Sequence, residues 1–154
     1  SGSIIPASLQ DTPMDFDSFN RAGVSLGSGA LLICDEDTCV VDLARVLVKF
    51  FRAESCGKCT PCRVGTERAL QLLTDISEGQ GELRDLDELM VMSENMSVLS
   101  NCGLGQTAGT PVRDILMHFR AEVEAHIRLK VCPTGICPMH IRETRVRVDK
   151  PVLA

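Results

Sequence analysis

Three cysteines within one ten-residue stretch, Glu54-Ser55-Cys56-Gly57-Lys58-Cys59-Thr60-Pro61-Cys62-Arg63, constrain this chain more than any other feature. The C-x2-C-x2-C spacing lets three thiolates converge from a single loop on one soft metal centre. Structural zinc more often takes its four ligands as two separated pairs, so three from one loop with a distant fourth favour an iron–sulfur cubane. Cys102, in Ser100-Asn101-Cys102-Gly103-Leu104-Gly105-Gln106, is the candidate fourth ligand, because its flanking glycines let backbone amides approach cluster sulfurs. Any fold must therefore bring two loops distant in sequence to one place.

Amphipathic helices supply the means. Thr38 reads as the cap of a helix running to about Arg52, with Val41, Ala44, Val48 and Phe51 on one stripe and Asp42, Arg45, Lys49 and Arg52 mostly elsewhere. Thr60-Pro61 reads as an N-cap and first helical residue opening a second helix to about Ser77, with Thr66, Leu70, Leu73 and Ile76 inward. An anionic cluster would sit at the positive end of that helix, with Lys58 and Arg63 adding charge. After Gly79-Gln80-Gly81, a third helix over 83–99 carries Leu86, Met90, Val91 and Met96. Thr110-Pro111 opens a fourth, over about 111–129, with Val112, Ile115, Leu116, Phe119, Val123, His126 and Ile127 in its stripe. Four helices with short connections predict a bundle in which the loops after the first and third helices share one end.

The first 29 residues read as an irregular lead-in, followed by Ala30-Leu31-Leu32-Ile33-Cys34, a short apolar run that predicts a buried strand. A lone strand leaves its ladder unpaired, so its sheet mates are expected upstream or on another chain. From Arg142 to Val148 the partial alternation reads as a weak strand or an extended tail that wraps a partner.

Eight cysteines in 154 residues fall below the density of a disulfide scaffold. Their spacing, with no signal peptide, points to reduced thiols in a cytoplasmic protein. A net charge of -5, no basic block, and neither Trp nor Tyr argue against nucleic acid as a partner. Asp42, Arg45 and Lys49 interrupt the most apolar segment, which argues against membrane insertion. Gly27-Ser28-Gly29 precedes a strand instead of following one, so it is no dinucleotide fingerprint. Chemistry on an organic substrate is expected elsewhere.

A second set of donors remains. Cys132 and Cys137 flank a Pro-Thr-Gly-Ile turn just beyond a helix that carries His126 on its apolar stripe. With Cys39 they form a three-Cys, one-His set that suits structural zinc; the rival is unligated thiols in a linker. Cys34, inside the apolar run, reads as core.

The segment from Glu54 to Cys62, continued by Arg63-Val64-Gly65, and Cys102-Gly103-Leu104-Gly105-Gln106-Thr107 together resemble the C-terminal part of the FMN-carrying, NADH-oxidising subunit of respiratory complex I. The same module occurs in NAD(P)-linked and electron-bifurcating hydrogenases and formate dehydrogenases. The resemblance continues through Asp11-Thr12-Pro13-Met14-Asp15-Phe16, Asp35-Glu36-Asp37-Thr38-Cys39 and Glu124-Ala125-His126-Ile127. It implies that Cys56, Cys59, Cys62 and Cys102 ligate a [4Fe-4S] cluster fed by reduced FMN, with Lys58, Thr60 and Arg63 around it. It also implies that FMN and NAD(P) bind on a flavoprotein domain or subunit outside this chain. Other iron–sulfur subunits of a hydrogenase, formate dehydrogenase or complex I would be partners, in the cytoplasm or at the cytoplasmic membrane face. The chain is then a fragment, an excised domain or a split subunit.

The expected architecture is mainly α: a four-helix bundle carrying a [4Fe-4S] site, preceded by a short β remnant of a β-grasp domain. Residues 1–37 would end that ligand-binding domain, 38–130 form the bundle, and 131–154 make a cysteine-containing tail or linker. The expected function is an electron relay through one cluster inside an NAD(P)H-linked oxidoreductase; the alternative is a zinc-binding interaction module that scaffolds such a complex.

Overall fold

The apolar stripes become the inner faces of a helical bundle in the computed structural model, which describes residues 2–139. A short helix, α1 (Phe16–Arg21), lies in the lead-in, capped by the Asp15 carboxylate, which accepts from the Ser18 amide. The bundle helices follow: α2 (Val40–Glu54), α3 (Thr60–Ser77) and α4 (Leu83–Leu99), then a short α5 (Gly103–Thr107), α6 (Thr110–His118) and α7 (Arg120–Arg128). Helix α2 packs on α3, α3 on α4, α4 on α6 and α6 on α2, closing a four-membered ring, with α7 against α2, α3 and α4. Short connections make successive helices antiparallel, so the end of α2, the start of α3 and the end of α4 share one end of the bundle.

The main core joins Val41, Ala44 and Val48 of α2 to Ala69, Leu72, Leu73 and Ile76 of α3. Leu86 and Leu89 of α4, Val112, Ile115 and Leu116 of α6, and Val123 and Ile127 of α7 complete it. A smaller cluster of Phe51, Met96 and Ala108, with Leu104 packed against it, forms a floor at the end of the bundle where the cysteine loop leaves α2. Fully burying a side chain the size of Phe51 or Met96 stabilises the fold by about 1.5–3 kcal/mol. At the start of α4 a capping box couples Glu82 and Asp85, so two otherwise unpaired amides are satisfied reciprocally. The N-terminal segment is tied down too: the Ile4 amide donates to the buried Asp114 carboxylate at 2.9 Å.

Four expectations need correction. There is no strand among the described residues, and so no β remnant: residues 30–34 are extended but unpaired, with Leu31, Leu32 and Ile33 62, 75 and 86% exposed. An apolar run makes a strand only where a ladder partner exists, and none is present here. The fourth helix breaks at Phe119, whose φ of -129° lies outside the helical region, so α6 and α7 are separate. Neither Gly nor Pro stands at that break, so no local signal marks it. Helix α4 buries Leu86 and Met96 of its expected stripe, with Leu89 and Ser93 beside them, but leaves Val91 56% exposed. The α2 N-cap is Cys39, not Thr38, whose hydroxyl turns back to Asp35 at 3.0 Å. The tail over 142–148 lies outside the described residues.

Candidate metal centres

The first centre lies where the loop after α2 meets the loop after α4. Ser55 closes α2, and Gly57 turns the chain with a φ of +73°, a left-handed conformation that glycine adopts without strain. The Arg63 guanidinium reaches back to donate to the Gly57 carbonyl at 2.5 Å, clamping the loop. Cys59, not Thr60, is the α3 N-cap; its side chain makes no capping bond, and Thr60 and Pro61 open the helix. Cys62 is buried in the first turn, Cys59 half-buried, and Cys56 and Cys102 exposed. Lys58, Thr60 and Arg63 are exposed around them.

The two loops interlock. The backbone amide of Asn101, and then that of Cys62, favour the Cys59 thiolate and hold its pKa below the usual thiol range. Asn101 immediately precedes Cys102, the N-cap of α5. At Gly105, an added Cβ would lie 2.6 Å from the Ser100 Cβ and 3.0 Å from the Cys62 Cβ, so only glycine admits this approach. Ser55 adds a polar contact, its Oγ 3.3 Å from the Cys62 sulfur. Soft thiolates, with the Asn101 and Cys62 amides turned to Cys59 and an orphaned buried hydroxyl, that of Ser100, suit an anionic iron–sulfur cluster. Gly105 is one of the glycines singled out beside Cys102, whereas Ser55, Ser100 and Asn101 were not; the signal available for them was small polar residues flanking both cysteine loops.

The second centre lies at the opposite end of α2, roughly 22 Å away for a helix of this length. Cys39, His126, Cys132 and Cys137 are all buried there, with one donor atom from each within 4.8 Å of the others. The Cys39 sulfur is 3.3 Å from His126 Nε2 and 3.4 Å from the Cys137 sulfur. Tetrahedral zinc with Zn–S of about 2.3 Å separates its ligand sulfurs by about 3.8 Å, so these donors fit around one ion and are too close for a cubane. His126 Nδ1 is 2.8 Å from the Glu122 carbonyl, a bond that puts its proton on Nδ1 and leaves Nε2 free as a ligand. The Cys137 amide donates to the Cys132 sulfur at 3.5 Å.

These groups titrate together. Contact with Cys137, then with His126, lowers the Cys39 thiol, while Cys137 is pushed up by Cys39 and by burial. Burial works against a charged His126, yet the Cys39 contact and the Glu122 carbonyl raise it to about 9. Burial pushes Cys132 up, but hydrogen bonds from Thr134 and the Cys137 amide bring it down to about 7. A divalent ion would displace these shared protons. Cys34 is exposed, not core.

Comparison with known proteins adds a family. A family model described as the NADH-ubiquinone oxidoreductase-F iron-sulfur binding region matches residues 42–126. That match takes in Cys56, Cys59, Cys62 and Cys102 and ends at His126, leaving Cys39, Cys132 and Cys137 outside it. The F 2 subunit of the NADH-quinone oxidoreductase of Rhizobium meliloti (strain 1021) is 42% identical over 133 residues, covering 86% of this chain and 32% of that protein. The NADP-reducing hydrogenase subunit HndC of Solidesulfovibrio fructosivorans is 38% identical, covering 89% of this chain and 28% of its own length. The chain thus spans about a third of these relatives. A crystal structure of an NAD+-reducing [NiFe]-hydrogenase in the H2-reduced state matches with a TM-score of 0.59 at 41% identity, over 62% of this chain and 16% of that one. No helix among the described residues is long and apolar enough to cross a membrane.

Proposed function

The chain belongs to the NADH-ubiquinone oxidoreductase-F iron-sulfur binding region family, and from that premise we propose that it holds one [4Fe-4S] cluster on Cys56, Cys59, Cys62 and Cys102 and relays single electrons. The observation that carries this reading is the interlock of the two cysteine loops, with the Asn101 amide addressed to Cys59 and Gly105 pressed against Cys62. When bound, such a cluster takes up and returns one electron at a time. The residues of this chain set the terms of that exchange. Buried Cys62 anchors the site in the first turn of α3, and Arg63 fixes the loop through Gly57. Exposed Cys56 and Cys102 face outward, where an electron donor or acceptor would dock.

The donor in this reading is a flavoprotein domain or subunit carrying FMN and using NADH or NADPH; the relatives' names, which carry NADH, NADP and hydrogenase, support that class. The complex is then of complex I, hydrogenase or formate dehydrogenase type, in the cytoplasm or at the cytoplasmic membrane face, with other iron–sulfur subunits as partners. Residues 1–37 go with a preceding ligand-binding domain, 38–130 with the cluster, and 131–154 with a tail toward the partners. The exposed apolar run at 31–33 supports the first of these divisions.

Cys39, His126, Cys132 and Cys137 hold a structural zinc ion in this proposal, which pins the segment after α7 to the start of α2. Their close spacing supports one ion over a cluster. Anaerobic reconstitution with iron and sulfide tests the whole reading. Brown protein with broad visible absorbance, and an EPR signal on reduction, is the expected outcome. Colourless protein that binds zinc alone would make the chain a scaffolding module instead.

A further inference from the structure

Among the described residues, a single buried side-chain oxygen or nitrogen lacks a hydrogen-bond partner: the Ser100 hydroxyl oxygen. Ser100 is only 5% exposed, and a buried hydroxyl left unpaired calls for an explanation. Its backbone is fixed on both sides, since its amide donates to the Met96 carbonyl at 3.2 Å and its carbonyl accepts from Gln106 Nε2 at 3.1 Å. The side chain therefore stays between the two cysteine loops. The Ser100 hydroxyl has no hydrogen-bond partner in the protein to satisfy it there. Its oxygen is 2.7 Å from the point where a Gly105 Cβ would stand, a point 3.0 Å from the Cys62 Cβ.

The other loop carries a matching group. Ser55 Oγ is 3.3 Å from the Cys62 sulfur and accepts the Gly57 amide at 3.3 Å. With the oxygen occupied as acceptor, the hydroxyl proton is free to point at sulfur.

We propose that the Ser55 hydroxyl donates a hydrogen bond to the Cys62 thiolate, that the orphaned Ser100 hydroxyl donates to a cluster thiolate at the same seam, and that both raise the cluster's reduction potential. This rests on the cluster reading above. The physical reason is a difference between charge states: reduction adds negative charge to the cluster and its sulfurs, so a donor to sulfur stabilises the reduced form more than the oxidised one. No covalent bond forms or breaks. The two serines act on the cluster through its ligands.

The test is an EPR-monitored redox titration of the full chain reconstituted anaerobically. S100A and S55A should each shift the reduced-to-oxidised ratio at fixed ambient potential about tenfold toward oxidised, a midpoint about 59 mV lower for a one-electron couple. The double variant should move further, S55T should keep the wild-type midpoint, and iron content should not change. Alanine variants with full iron that titrate at the wild-type midpoint would overturn the proposal. Loss of the cluster from both alanine variants would also overturn it, because a donor that tunes an anchored cluster is not needed for loading. A wild-type chain that takes up no iron overturns the cluster reading itself, and that failure is visible before any substitution is made.

Discussion

Replacing Gly105 with alanine should open the cluster site at the point where its two loops touch. The new Cβ would stand 2.6 Å from the Ser100 Cβ, 2.7 Å from its hydroxyl oxygen and 3.0 Å from the Cys62 Cβ. Carbon atoms in contact prefer about 3.5–4.0 Å, so relief needs a displacement of about 1 Å. Both neighbours are short side chains next to the backbone, and neither can swing away. Overpacking of this kind costs about 1–3 kcal/mol, while alanine in a helix gains about 1 kcal/mol over glycine. Folding stability should thus fall by only about 0–2 kcal/mol. Cluster loading should suffer more, because a site of this type tolerates displacements of only about 0.5 Å. The assay pairs urea denaturation with iron content after anaerobic reconstitution. Gly65→Ala is the control: its Cβ would meet Met96 Cγ and Sδ at 2.7 Å, atoms of a flexible chain that can turn aside. G65A should keep its iron. A G105A protein with full iron and an unchanged EPR line shape would refute the interlock.

Three further outcomes are expected. His126→Ala removes a buried donor from the second centre, so zinc content should fall to zero while iron is retained, with stability lowered by about 3 kcal/mol or more; metal analysis and thermal denaturation check this. Asp114→Ala orphans the buried Ile4 amide and should cost about 1–3 kcal/mol, with faster proteolysis near residue 4 as the readout. Asp75 has its pKa raised by burial first and by the Asp85 charge next. A carboxyl raised on folding favours the folded state below its unfolded pKa, and that contribution is lost as pH rises through the folded value. Asp75→Asn should therefore stabilise the chain at pH 7, a gain that disappears below about pH 4 in denaturation series.

Helices long enough to show several turns of a stripe were legible in the sequence. Val41, Ala44, Val48 and Phe51 of α2 are all buried, as are Val112, Ile115, Leu116, Val123 and His126 on the last two helices. Short elements were not: α5 has five residues, two of them glycine, and α1 has six, too few to establish a period. The break at Phe119 has no glycine or proline to announce it, so it comes from packing that only the folded chain supplies. Residues 30–34 show the limit of propensity, because strand-forming side chains do not make a strand without a ladder partner. At the sites, cysteine spacing points to metal chemistry, whereas Ser55 and Ser100 carry no pattern of their own. Their positions matter only once the two loops are seen to meet.

The most direct test of two separate metal centres at opposite ends of one bundle is quantitative iron, sulfide and zinc analysis of the wild type beside C102S, both reconstituted without oxygen. The wild type should hold about four iron and about one zinc per chain. C102S should keep its zinc while losing iron or converting to a three-iron EPR signal. A C102S protein with undiminished iron and the wild-type spectrum would contradict the ligand assignment on which the account rests.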